Sequence, residues 1–505
     1  MRKTKGTITA GHPQTAWAGM QILNEGGNAF DAAIATTFAA CINEFCMCSL
    51  GGGTFFNLFT QHRKSVFIDA FCQTPKKKRA LDQIEFYPHT IDFGGTQEDF
   101  QIGMGAIAAP GTLAGIYALY EQFATLPFKV LIEPALQIAR KGSVVDDFQA
   151  FDYGVLESML RVHPESRALF TKEDGSLVKE GDVVGMPLFA DFLESLLREG
   201  KDLFYKGEIA RKIAADSQEK GGFIGYEDLE SYEALFRNPL QFKYRGHTVL
   251  TNDLPSIGGP LLALGLNQLQ SVRSFHDYRD PEHVHRLFQV FQYLEGVDRS
   301  VEGLSRLLTR IPGIQSKLKG ASGRKWGSTT HFNIMDEYGN AISVTTSNGE
   351  GSGYMIEGTN MMLNNMLGEA ALLPGGFHSW RPDTRLSSMM SPTLILDGTD
   401  SVRYALGTGG AGRIPTMVLQ VISYLLDYKM PVREAVTLPR CHLEHGSFDL
   451  EPDLWNLGKH EAEKVSQWPD KHMYFGGVHS IERLTNNRFE GAGDARRSGV
   501  VLSNF

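Results

Sequence analysis

A layered α/β fold of the α+β kind is predicted for this chain by three observations. Segments with helical spacing come first, strands dominate after residue 329, and a helix returns near residue 414, so the elements are grouped rather than alternating as βαβ units. Strand candidates lie between turn-forming clusters, as sheet-packed strands do. The 505 residues, 42% hydrophobic and 21% charged, suffice for a substantial core in one large sandwich or in more than one domain.

The elements follow in order. Residues 14–24 read as an amphipathic helix stopped by Gly26-Gly27, and Ala29–Ile42 as an alanine-rich helix that packs closely. Beyond Gly51-Gly52-Gly53, Thr54–Thr60 and Ser65–Ala70 form a buried strand pair joined by the polar Gln61-His62-Arg63-Lys64. Helical spacing resumes over 112–126 and 129–141. From about 145 to 320 the pattern is mostly helical, with a strand-like Thr248-Val249-Leu250 and a glycine turn at Ser256-Ile257-Gly258-Gly259. The stretch 302–326, rich in Lys, Arg, Gly and Ser, reads as an exposed connector suited to being cut or displaced. Then His331–Met335 and Ala341–Thr345 flank Asp336-Glu337-Tyr338-Gly339-Asn340, a hairpin by its turn chemistry. Strands are expected at 360–365, 392–397 and 402–406, and a helix from Ile414 to Tyr428.

Composition excludes several classes. A net charge of −9 lacks the basic footprint of a nucleic-acid binder. The compact run Lys76-Lys77-Lys78-Arg79 reads as a solvated loop after Pro75 in preference to an anion site. Five cysteines give no disulfide framework, and Cys41, Cys46 and Cys48 lack CxxC spacing, so they read as small buried side chains in a reducing compartment. No segment offers about 18 uninterrupted apolar residues. The amino terminus carries no signal-peptide core, which points to a cytoplasmic protein, or to an exported one whose leader was removed before this numbering.

The junction Gly327-Ser328-Thr329-Thr330-His331-Phe332 is the leading candidate for chemistry. An interior threonine is a poor nucleophile, but a cut before Thr329 would free an α-amine with a reference pKa of about 7.7–8.0. That amine, neutral in large part near physiological pH, can take the hydroxyl proton, so one residue carries both nucleophile and base. The turn Gly407-Thr408-Gly409-Gly410-Ala411-Gly412 matches G-x-G-x-x-G between a strand and a helix, which admits a dinucleotide reading. The same glycines and helix start also suit an oxyanion hole. Ser387-Ser388, before Met389-Met390-Ser391-Pro392, read either as a strand-capping turn or as a pair of hydroxyls for a carboxylate. No G-x-S-x-G occurs, and His283, His285, His442 and His445 fall outside H-E-x-x-H spacing.

Ordered motifs along nearly the whole chain carry a family resemblance. They include Glu25-Gly26-Gly27-Asn28-Ala29-Phe30-Asp31-Ala32-Ala33, Ala109-Pro110-Gly111-Thr112, Phe204-Tyr205-Lys206-Gly207, Pro255-Ser256-Ile257-Gly258-Gly259, Thr329-Thr330-His331, Leu363-Asn364-Asn365 and Leu386-Ser387-Ser388-Met389. In these the chain resembles the γ-glutamyltranspeptidase family of N-terminal-nucleophile hydrolases. The resemblance implies a four-layer αββα sandwich and a precursor that cuts itself at Ser328–Thr329. The products would be a large segment 1–328, which includes the helical region of about 145–320, and a small segment 329–505, the two staying interlocked. It implies no metal or organic cofactor, an acyl-enzyme on Thr329, and small-molecule or peptide acyl-amides such as γ-glutamyl compounds as substrates; a homodimer is compatible with it.

By position, Ser347 or Thr346 resembles the hydroxyl residue that bonds the nucleophile, and Asn348 the substrate-binding asparagine. Ser387 and Ser388 resemble the pair that receives the substrate α-carboxylate, and Gly410 with Ala411 the oxyanion pair. The chain also departs from the family. Where relatives carry an arginine in Arg-Glu-x-x-Pro, this chain reads Phe71-Cys72-Gln73-Thr74-Pro75, and neither Phe71 nor Cys72 replaces a guanidinium. Lys76–Arg79 lies near enough in sequence to supply charge from another direction. Met366 and Glu369 stand for the expected glutamine and aspartate; Glu369 keeps the capacity to hold an ammonium, and Met366 does not. The altered acyl pocket also admits a non-catalytic, unprocessed homologue acting as a binding scaffold.

Overall fold

The computed structural model describes residues 2–92, 97–271, 277–315, 328–373, 375–455 and 462–505. Two large sheets hold the strands β1 (Gly6–Ala10), β2 (Gly53–Phe59), β3 (Ser65–Ala70), β4 (Leu235–Arg237), β5 (Leu240–Tyr244), β6 (His247–Thr251) and β7 (Thr329–Asp336). They continue with β8 (Ala341–Ser347), β9 (Thr393–Leu396), β10 (Val402–Gly407), β11 (His479–Arg483), β12 (Phe489–Ala492) and β13 (Val500–Ser503). One sheet runs β13-β1-β7-β8-β2-β3-β4 and the other β12-β11-β10-β9-β6-β5, with every neighbouring pair antiparallel.

The sheets face each other, with β7 and β8 packed on β10. Helices Pro13–Asn24, Ala29–Asn43 and Thr112–Phe123 cover the first sheet, and Gly258–Gln270 and Ile414–Leu426 the second. The result is the four-layer αββα sandwich. Local sequence explains the helix that lies against β7 and β8: Asn28 caps Ala29–Asn43 in a box closed by Asp31, and the run of small alanines lets every residue of it be buried. Between the sheets, polar side chains act as stitches. Asn57 donates to the carbonyls of Leu250 and Pro392, both at 2.9 Å, Asn333 to His479 O at 3.0 Å, and Ser343 to Leu406 O at 3.2 Å. These donors thereby keep partners between the sheets.

Several expectations change. The stretch 302–326 is not wholly a connector: Val301–Leu308 is a helix capped by Ser300, with Leu304 and Leu308 buried. Leucines at 304, 307 and 308 give it an apolar stripe that the surrounding charge obscures; residues 316–327 lie outside the described residues. The region 145–320 holds more strand than expected: β6 contains the strand-like Thr248-Val249-Leu250, and β4 and β5 are added to it. The strand expected at 360–365 shrinks to Met361–Met362, paired with Met355–Ile356, because Asn364 turns to bond Gly51 O and Ala108 O. The dinucleotide reading of Gly407–Gly412 also fails. A strand and a helix do flank the turn, but β9 and β11 both run antiparallel to β10, so no βαβ unit exists to cradle a nucleotide. All five cysteines are buried free thiols. No helix among the described residues is long and apolar enough to cross a membrane.

Candidate active site

The site forms where β7 begins. Antiparallel register sets Thr329 opposite Ser347, the last residue of β8. Thr329 Oγ donates to Ser347 Oγ at 3.2 Å, and Ser347 Oγ donates in turn to the Ser328 carbonyl at 2.7 Å. A third bond, from the Gly349 amide at 3.1 Å, fixes the serine. Strand alternation sends Thr346 the other way. Its hydroxyl lies 2.8 Å from Thr54 Oγ and 3.5 Å from Cys48 Sγ, on the helix side of the sheet.

The glycine turn closes over the same spot. Gly410 has φ +118°, and Ala411 follows at φ +49°. A Cβ on Gly409 would overlap the Thr329 carbonyl oxygen, so only glycine lets the turn come this close. Among the described residues, the amides of Gly410 and Ala411 donate to no protein acceptor, which leaves them available to an incoming oxygen.

Beside Thr329 is a small cavity that Ser347, Ser388, Ala411 and Glu369 share. Its remaining wall is mostly apolar: Phe71, Met366, Leu372, Met389 and Met390. Ser388 Oγ accepts the Met390 amide at 3.1 Å. Ser387 and Asn348 are buried but do not line the cavity, and Asn348 Nδ2 faces the Met362 carbonyl at 3.5 Å.

The sequence model described as Gamma-glutamyltranspeptidase matches residues 15–302 and 307–503. The chain belongs to that family. A glutathione hydrolase proenzyme of Escherichia coli (strain K12) is 28% identical, over 98% of this chain and 91% of its own length. An acylase ACY 1 proenzyme of Pseudomonas sp. (strain SE83) is 29% identical, over 89% and 84% respectively. The solved cephalosporin acylase from Bacillus halodurans superimposes with a TM-score of 0.82, covering 99% of this chain and 96% of that one at 22% identity, which shows a common fold.

Against the gamma-glutamyltranspeptidase pattern, the departure at Phe71 takes physical form: the ring lines the cavity. A buried arginine lies behind it. Arg385 donates to the carbonyls of Phe71 and Glu233 and to Tyr232 Oη, stacks 4.6 Å over the Tyr232 ring, and lies 3.8 Å from Asp69. Three side chains of the basic run are engaged elsewhere as well. Lys77 pairs with Glu227, Lys78 donates to His378 O, and Arg79 caps the carbonyls of Ser217, Gln218 and Gly222.

Beneath Thr329 lies a buried charged cluster that sequence reasoning missed. Arg497 donates to the Thr329 carbonyl at 3.1 Å, and burial lowers its guanidinium to about 10. Glu350 accepts the Ser328 hydroxyl at 2.6 Å. Burial pushes Glu350 up to about 7 and Asp152 to about 6. Glu44 accepts the Thr330 hydroxyl, and burial pushes it to about 7 too. His331, next but one to Thr329, is held neutral: burial lowers it to about 3, while its ring nitrogens meet Thr345 Oγ at 2.8 Å and Asn333 Oδ1 at 3.0 Å. Glu350 had a local signal, since it sits in a glycine turn two residues beyond Asn348. Arg497 had none, because only the fold brings it under β7.

These raised carboxyls set a pH dependence. Folded Glu350 binds its proton more tightly than it would unfolded, so its contribution to stability is full below about pH 4.5 and is lost as pH rises through about 7. Glu44 and Asp152 act in the same sense. Buried histidines such as His331, His442 and His479, lowered to about 3–4, act in the opposite sense below about pH 6.5, so the contribution of Glu350 is read by difference. In denaturant unfolding of an uncut chain, the stability of the natural protein relative to Glu350→Gln should fall from pH 5 to pH 8; a difference that does not change with pH would remove Glu350 from the linkage.

Proposed function

We infer that the chain is a self-processing amidohydrolase and acyltransferase with Thr329 as its nucleophile, acting on γ-glutamyl compounds such as glutathione or on related acyl-amides. The observation that carries this reading is the run of hydroxyls from Thr329 Oγ through Ser347 Oγ to the Ser328 carbonyl. One O–H polarises the carbonyl of the bond to be cut, while the oxygen beside it can receive the nucleophile's proton. Thr329 Oγ then bonds the Ser328 carbonyl carbon, and the Thr329 nitrogen leaves with a proton. Water opens the resulting ester, leaving a carboxylate on Ser328 and an α-amine on Thr329.

In turnover the amine takes the proton from Thr329 Oγ as the oxygen attacks a substrate carbonyl, and returns it to the departing amine. Charge developing on the carbonyl oxygen is met by the amides of Gly410 and Ala411. The acyl-enzyme passes its group to water or to an acceptor amine. We also propose that segments 1–328 and 329–505 stay together after the cut. Strand β7 pairs with β1, β8 with β2, and β9 with β6, so both sheets are built from both segments. The proenzyme relatives favour this reading over an unprocessed scaffold.

Intact mass of purified protein should show two species, one starting at Thr329, with an acyl mass added to the smaller one on incubation with a donor. A single species of 55.9 kDa in catalytically competent material would reject the reading.

A further inference from the structure

The cavity beside Thr329 has an uneven charge balance. Among the described residues that line it, Glu369 is the one ionisable side chain. Phe71, Met366, Leu372, Met389 and Met390 make the rest of the wall mostly apolar. No described guanidinium lines the cavity, and each one nearby already bonds protein groups. Arg385 is spent behind Phe71, on two carbonyls, Tyr232 and Asp69. Arg497 serves the Thr329 carbonyl from beneath the strand, and Arg413 donates to Tyr474 O at 2.6 Å while stacking 4.2 Å from the Tyr474 ring.

A carboxylate carried into this cavity by an acyl group would therefore meet a like charge and no described cation. Unpaired and drawn out of water, it would be strongly disfavoured. An ammonium would meet a carboxylate, and a hydrocarbon chain would meet the phenylalanine and the methionines. We propose that the acyl group this site selects is apolar, carries an amino group that pairs with Glu369, and bears no free carboxylate. A γ-glutamyl group has the amine but also the disfavoured carboxylate. This rests on Thr329 being the acylated residue, and it deepens that reading by naming the acyl class.

The test is a matched set of 4-nitroanilides that differ only at the fourth acyl carbon. Pentanoyl carries neither charge, 4-aminopentanoyl the ammonium alone, glutaryl the carboxylate alone, and γ-glutamyl both. The expected order of kcat/KM is 4-aminopentanoyl, pentanoyl, γ-glutamyl, glutaryl. The first should exceed γ-glutamyl by about tenfold or more, the scale of one charge-assisted contact. Glu369→Gln should narrow the ratio of 4-aminopentanoyl to pentanoyl, and Phe71→Arg should raise the ratio of γ-glutamyl to pentanoyl.

Fastest turnover of γ-glutamyl or glutaryl anilide by the natural chain would overturn the proposal. So would a ratio of 4-aminopentanoyl to pentanoyl that Glu369→Gln leaves unmoved. Intact mass is read alongside. Protein cut before Thr329 that none of the four donors acylates would overturn the acyl class while leaving the cut standing, whereas protein that never cuts removes both readings.

Discussion

Thr329→Ala should remain a single polypeptide of about 56 kDa through any incubation in which the natural chain becomes two. The substitution removes the one oxygen placed both to attack Ser328 and, after the cut, to stand beside the new amine. Ser347 is not placed to take over the attack, because its oxygen stays held by the Gly349 amide and its proton by the Ser328 carbonyl oxygen. Turnover should fall roughly 10⁴–10⁶-fold, the scale on which a hydrolase loses its nucleophile or base. The fold should persist, since Thr329 is a small side chain on a strand paired with β8 over Thr329–Met335 and with β1 over Asn333–Asp336. Thr329→Ser, which keeps the hydroxyl, should still cut. Denaturing electrophoresis over a time course reads all three chains, and two bands from Thr329→Ala would reject it as the processing nucleophile.

Gly409→Ala carries the second-largest expected effect, by a route that removes no chemical group. Its Cβ would occupy the place of the Thr329 carbonyl oxygen and press on Arg497 Nη1 at 3.0 Å. The first is the backbone of Thr329, and the second ends a buried side chain that bonds the same carbonyl. Either β7 or the glycine turn must shift, by about the ångström that costs a positioned reaction roughly 100-fold. Stability should fall by about 1–3 kcal/mol, as overpacking does, leaving a folded protein that cuts and turns over slowly. Gly412→Ala is the control, because its Cβ would meet only Glu444 Oε1 at 3.5 Å, an ordinary contact. Equal processing rates for Gly409→Ala and the natural chain would show that the close approach at Gly409 is dispensable.

Much of the fold was legible in the sequence where local patterns are strong. The hairpin β7–β8 followed from two strand-like runs around a turn of Asp, Gly and Asn. The helix Ala29–Asn43 followed from its alanines, which marked it out over Ala29–Ile42. Legibility failed where tertiary contacts outweigh local texture. The helix Val301–Leu308 sits within a run that composition alone assigns to a connector, and Asn364 bends the expected strand after Met362 to serve two distant carbonyls.

The sequence by itself determined the candidate bond at Ser328–Thr329, the antiparallel hairpin behind it and the glycine turn, each written in a few neighbouring residues. The lack of a cation at Phe71 shows only against the pattern of the family that the chain resembles. Only the tertiary structure decided that Ser347 and not Thr346 faces Thr329, that Arg385 serves Phe71 O and Tyr232, and that Glu350 and Arg497 converge beneath Thr329. The physical reason is that a strand side chain's direction depends on its alternation and on which partner residue the sheet sets opposite it. A contact such as Arg497 with Thr329 joins residues 168 apart in the chain, and no short pattern encodes that meeting.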